Sequence, residues 1–177
     1  DKQLAYMRHY PSVNWITSYS EYTDDLSPWY ASNIGEDFNE NRKKVVSILN
    51  EEDNLMEIVK LIGADVLPDS QRLIMEIARV IRVGFLQQNA MHPIDTFTPI
   101  EKQAKMLEII LYLYGEAAKI TARAIPVSQL VKTGIFDTVV QMKYRFAEDG
   151  VDVFGEVRAA IDAALKSVSD DYAAIGR

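Results

Sequence analysis

Cysteine is absent from the 177 residues, which removes disulfides, thiolate metal sites and cysteine nucleophiles from consideration. The absence fits a reducing compartment. Basic residues are outnumbered, 19 Lys and Arg against 26 Asp and Glu, and no basic cluster exceeds Arg42-Lys43-Lys44. Nucleic-acid binding requires a basic face to neutralise phosphates, so that class is set aside. Long apolar runs are also missing. The most apolar window, Met106 to Ile125, carries Glu108, Glu116, Lys119 and Arg123, whereas a membrane span needs about 20 apolar residues with few or no charges. That window is expected to be a core helix, with no direct membrane insertion. The N-terminus lacks the basic-then-apolar pattern of a signal peptide. The chain starts at Asp1 rather than Met, which fits a segment cut from a longer polypeptide or a processed product.

The motifs of common catalytic sites are missing as well. No Gly-x-x-x-x-Gly-Lys-Ser/Thr phosphate loop occurs. Gly150 and Gly155 have its glycine spacing, but Glu156 and Val157 follow where lysine and a hydroxyl are needed. Neither a Gly-x-Ser-x-Gly elbow nor a Gly-x-Gly-x-x-Gly loop is present. His9 and His92, the two histidines, are too far apart in sequence to share a helical face as zinc ligands. Both read as structural or surface residues, and no catalytic or metal site is expected. Glu51-Glu52-Asp53 has the acids for a divalent ion, but a solvated helix-terminal cluster is the simpler reading. Arg79 and Arg82 share a helix face, suited to an anion or, more simply, to surface or intersubunit salt bridges.

What is present is helical. Hydrophobic content of 48% and charged content of 25% are those of a globular domain with a proper core. Residues 1–34 stand apart. They hold both tryptophans and five of the nine tyrosines, with no sustained period, and read as irregular chain with short helical turns. These aromatics either pack on the helices that follow or face a surface supplied from elsewhere.

From residue 35 to 177 the spacing of apolar residues predicts an all-α bundle. Phe38, Val45, Ile48 and Leu49 form a first stripe, which Asn50-Glu51-Glu52-Asp53 interrupts as a kink or a fresh start. The next helix is expected to stop at Gly63 in a left-handed C-cap. Pro68 in a first turn opens another, which runs to about Gln88. Thr98-Pro99-Ile100-Glu101 has the spacing of a capping box, with Thr98 as N-cap and Pro99 at the first helical position. That helix should run to about Ala124. Helices over 127–147, broken at Gly134, and 151–169 follow, and the tail from Asp170 is expected to fray.

Three phrases carry a resemblance: Arg8-His9-Tyr10-Pro11-Ser12, Leu61-Ile62-Gly63-Ala64-Asp65-Val66-Leu67-Pro68, and Phe85-Leu86-Gln87-Gln88-Asn89-Ala90. Together they resemble the C-terminal helical domain of the catalytic A subunit of V/A-type rotary ATPases. The resemblance covers the whole chain and is weakest after Ile125. It implies that residues 1–34 end a nucleotide-binding domain, and that ATP or ADP with Mg is held upstream. The fragment itself would have no cofactor and would not be catalytic. The implied partners are B subunits in an alternating ring and a central rotor stalk. The implied location is cytoplasmic, peripheral to a membrane sector that moves protons or sodium. Gly63, Ala64, Asp65, Val66, Leu67, Pro68 and Asp69 fall where related F-type subunits carry an acid-rich loop facing the rotor. Most of those acids are replaced here, which points to a steric lever rather than an electrostatic push. Met91 to Phe97 looks like the segment that closes over the adenine ring, with Gln88 as a polar contact and Met91 where relatives usually carry phenylalanine. The same segment would equally serve as a helix-junction cap. The alternatives are a non-catalytic B subunit, a secretion-system ATPase domain of the same architecture, or a free-standing helical adaptor.

Overall fold

Every regular element is helical among the residues that the computed structural model describes, 1–145 and 152–175. Two short helices, α1 (Lys2–Tyr6) and α2 (Ser27–Asn33), punctuate the irregular N-terminal segment. The bundle comprises α3 (Phe38–Ile62), α4 (Asp69–Ile81), α5 (Ile100–Thr121), α6 (Val127–Lys132), α7 (Ile135–Arg145) and α8 (Val153–Ile175). A 3-10 turn over Ala64–Val66 joins α3 to α4, and α4 widens into a π-helical turn over Arg82–Leu86. No helix among the described residues is long and apolar enough to cross a membrane.

Helix α4 is the centre. It packs on α3, α5 and α7, while α8 closes the far side against α5 and α7. Ile77, Val80 and Ile81 of α4 are fully buried, each worth about 1.5–3 kcal/mol relative to exposure. Leu113 of α5, Val139 of α7 and Ile161 of α8 complete the same core.

Several boundaries differ from the sequence reading. Residues 50–53 neither kink nor restart a helix, since α3 runs through them unbroken. Glu52 lies on the buried stripe of Val45, Ile48, Leu49 and Leu55, and Arg82 reaches it at 2.9 Å, so the acid needs no helix end to shelter it. Gly63 has positive φ as expected, but with ψ 159° it is extended rather than left-handed helical, a conformation open essentially to glycine alone.

The capping box at Thr98 does not form. Pro99 itself is the N-cap, its carbonyl accepting from Gln103 N–H at 3.0 Å, while the Thr98 carbonyl takes the Gln103 side chain. Pro68 and Pro126 cap α4 and α6 in the same extended conformation. Proline fits there because a capping residue's N–H lies outside the helix ladder. The π turn cuts α4 short of Gln88, and α5 ends at Thr121, three residues early. The break at Gly134 is present, with φ +73°. Helix α8 continues to Ile175, so residues 170–175 are helical rather than frayed. The expected ends at 147 and 151, together with Gly150, lie outside the described residues.

In the N-terminal segment the aromatics divide between packed and exposed positions. Trp15 packs against the core and Tyr30 packs against Phe38, whereas Tyr6, Tyr10, Tyr19, Tyr22 and Trp29 are exposed.

The π turn brings Gly84 close to α7. A Cβ added there would meet the Val140 backbone at 3.1 Å, whereas one added at exposed Gly115, inside α5, meets nothing within 4 Å. In chemical denaturation Gly84→Ala should therefore lose about 1–3 kcal/mol through overpacking. Gly115→Ala should gain about 0.5–1 kcal/mol from helix propensity. Shifts of the same sign would contradict this account of the π turn.

Candidate functional site

The segment after the π turn is braced by its own polar groups. Asn89 N–H donates to Asp95 Oδ2 at 2.7 Å, and Met91 N–H donates to Asn89 Oδ1 at 3.0 Å. His92 Nδ1 accepts from the amides of Ile94 and Asp95, which places the neutral ring's proton on Nε2. The His92 ring packs on Tyr144 with centroids 4.6 Å apart. From the other side the N-terminal segment docks on the same stretch, with Gln88 N–H donating to the Tyr10 carbonyl at 2.7 Å. His9 is buried, stacks on Trp15 and donates through Nε2 to the Arg82 carbonyl at 3.1 Å. Both histidines are thus structural.

Beneath this loop lies a buried ionic group. Lys143 is nearly inaccessible, and its ammonium donates to the carbonyls of Val83 at 3.0 Å and Gln87 at 2.7 Å. It also stands 3.4 Å from Asp95 Oδ2. Lys102 of α5 donates in turn to the Lys143 carbonyl at 2.7 Å. Burial pushes the Lys102 ammonium below the usual lysine range, Asp95 opposing and the Lys143 charge adding to the fall. The sequence reading did not anticipate this group. Its signal was nevertheless present, because Lys102 lies four residues before buried Met106 and Lys143 follows Val139 and Val140 on the core stripe of α7.

What the braced loop presents outward is apolar. Met91 is 91% exposed and Phe97 74% exposed. Phe97 lines a cleft of about 460 Å³ with Phe85, Leu86, Gln88, Thr96 and Thr98. Met91 lines a neighbouring cleft of about 370 Å³ with Arg8, Tyr10, Gln88 and Tyr144. Gln88 belongs to both, so the structure joins Gln88 to each partner while Met91 and Phe97 face separate hollows. Tyr10 is a further candidate, an exposed aromatic ring beside Met91 and Gln88. It lay in plain view within the Arg8-His9-Tyr10-Pro11 phrase.

At the opposite end of α3 the loop 63–69 is braced by hydrogen bonds. The Arg72 guanidinium donates to the Leu67 carbonyl at 2.8 Å and to the Asp65 carbonyl. Leu67 is buried, and Asp69 Oδ1 accepts from Val127 N–H at 3.0 Å, tying α4 to α6. Asp65 alone is left as an exposed acid, beside the outward side chains of Leu61 (84% exposed), Ile62 and Val66.

The acidic and basic clusters resolve into ion pairs. Arg79 bridges Glu76 and Asp137, and Arg82 holds Glu52, so neither arginine is set aside for an anion. Glu52 is buried mid-helix rather than solvated at a terminus. Among the described residues no group of three or more His, Asp or Glu side chains is placed to hold a metal ion.

Residues 27–130 match the model of the C-terminal domain of V and A type ATP synthase. The chain belongs to that family. It is 46% identical over 172 residues to the V-type ATP synthase alpha chain 2 of Clostridium tetani and equally to the V-type ATP synthase alpha chain of Halothermothrix orenii. It is 41% identical over 171 residues to the A subunit of the A-type ATP synthase of Methanopyrus kandleri. Each match covers 97% of this chain and 29% of the relative, so the chain spans less than a third of those proteins.

In this V/A-type domain the Glu52–Arg82 pair links α3 to the π turn. Burial raises the Glu52 carboxyl above its ordinary range, Arg82 opposing and Asp53 adding to the rise. A raised folded-state pKa favours the protonated acid, so this contribution to stability is complete below the ordinary carboxylate pKa and is lost as pH rises through the folded value. Glu52→Gln should remove that loss. Its stability relative to the native chain should climb as pH goes from 4 to 7 in parallel denaturation series, and a relative decline would mean that the Arg82 attraction outweighs burial.

Proposed function

We propose that this chain works as the helical C-terminal part of the catalytic A subunit of a rotary ATP synthase or ATPase. The observation that carries the reading is the match of 97% of the chain to V-type alpha chains and to their A-type counterpart. On this reading the fragment is not catalytic by itself. Phosphate and Mg are held by residues upstream, and the loop after the π turn packs on the adenine ring of ATP or ADP. Gln88 contributes a polar contact, while Met91, Phe97 and Tyr10 offer apolar and aromatic faces. A polarizable thioether and an aromatic face are both suited to a flat base.

The rotor stalk meets the loop 63–69, neighbouring B subunits flank the domain, and the whole sits on the cytoplasmic side as part of a peripheral sector. What supports a steric contact with the rotor is the chemistry of the tip. Leu61, Ile62 and Val66 project outward, the Asp69 carboxylate is turned inward to Val127, and only Asp65 remains to act at a distance. An apolar knob on a proline-braced turn pushes by shape.

The test uses the full-length protein in its assembled ring. Removing two or three residues from 63–68 should uncouple ATP hydrolysis from ion movement, while Asp65→Ala should leave coupling near the native level. Asp69→Ala should cost about 1 kcal/mol of stability through the lost Val127 bond and leave coupling intact once folded. Uncoupling by Asp65→Ala, with the shortened loop still coupled, would refute the steric lever.

A further inference from the structure

We propose that Lys143 is a positioning residue for the nucleotide base, holding from behind the loop that presents Gln88, Met91 and Phe97. The inference rests on the base-packing reading above and adds the residue on which the shape of that surface depends. Lys143 lines the Met91 cleft, but its ammonium is engaged by the protein's own oxygens. Its ammonium is buried where three groups converge: the Val83 carbonyl inside the π turn, the Gln87 carbonyl at its end, and Asp95 Oδ2. The same Asp95 oxygen takes the Asn89 amide, so one carboxylate pins residues 89 and 95 to each other.

Lys143 therefore fixes the start of the loop through Gln87 and its closure through Asp95. Its own carbonyl is held by Lys102, which sets α7 against α5. A buried ammonium is costly and is retained only with full pairing. An apolar residue of equal length would fill the space and leave the Val83 and Gln87 carbonyls short of a donor. The loop would then shift to find one, and displacements of about 1 Å are enough to spoil a binding geometry.

A purely structural lysine would lower stability without a specific effect on the base, and the experiment separates the two. ATP affinity is measured on the full-length subunit in its assembled ring, well below the melting temperature of each variant. Val139→Ala, a core truncation in the same helix outside the ionic group, supplies the control for general destabilisation. Lys143→Met should weaken ATP binding about fivefold or more and Val139→Ala less than about twofold, as expected for loss of preorganisation. If Lys143→Met does not fold, Asp95→Asn replaces it, keeping an amide oxygen for Asn89 while losing the attraction to Lys143, and should also exceed the control. Equal losses in the control and the ionic variant would overturn the positioning role while leaving the base site standing. Unchanged ATP affinity for Tyr10→Ala and Phe97→Ala in the same full-length ring would instead remove the base-packing reading itself, and this inference with it.

Discussion

A helix that ends inside a protein must find donors for its last carbonyls, and much of this domain is arranged around that requirement. Helix α4 buries one whole face, from Leu73 to Ile81, and runs straight into a π turn beneath the loop. Its last carbonyls lack partners within the helix, and here a side chain supplies the donor. Lys143 arrives from α7 to do it, Asp95 balances its charge, and Lys102 secures it from α5. Gly84 belongs to the same solution, since a side chain there would press on the Val140 backbone of α7. Remove the donor and α4 has no acceptable end at that place.

The consequence is that three helices and an irregular loop share one ionic centre. The other face of the turn is secured in a similar way. The Arg82 guanidinium holds Glu52 in the middle of α3, and the Arg82 carbonyl takes His9 from the N-terminal segment. The π turn is thus tied to α7 behind, to α3 beside it and to the N-terminal segment in front. It is a joint in the literal sense, since the loop beyond it and the helix leading to the 63–69 turn are fastened to the same five residues.

Most of the bundle was legible because apolar residues recur at helical spacing wherever a helix buries a face. Glycine and proline marked its breaks at 63, 68, 126 and 134. The misreadings came from charges. Glu52, Lys102 and Lys143 occupy positions where the period calls for apolar side chains, and a reading that counts only apolar residues treats them as interruptions. Their partners are 30 or more residues distant, in Arg82, the Lys143 carbonyl and Gln87, so pairing is invisible along the chain. Tyr10 was missed for a similar reason, because nothing local tells that it returns to Gln88. The helix caps failed on a finer point, since proline beside a threonine fits two registers one residue apart.

The far end of α3 shows what such tight fastening leaves out. Its fully buried contacts stop at Leu55, and beyond it only Val59 packs against the core while Ile58, Leu61 and Ile62 stand in solvent. Backbone hydrogen bonds without cover open locally, independent of the global unfolding of the molecule. The last two turns of α3 therefore form a region whose amide protection depends on company. Slow exchange there reports that something sits on the tip, and fast exchange that nothing does, so the helix end is a built-in gauge of whether the domain is engaged.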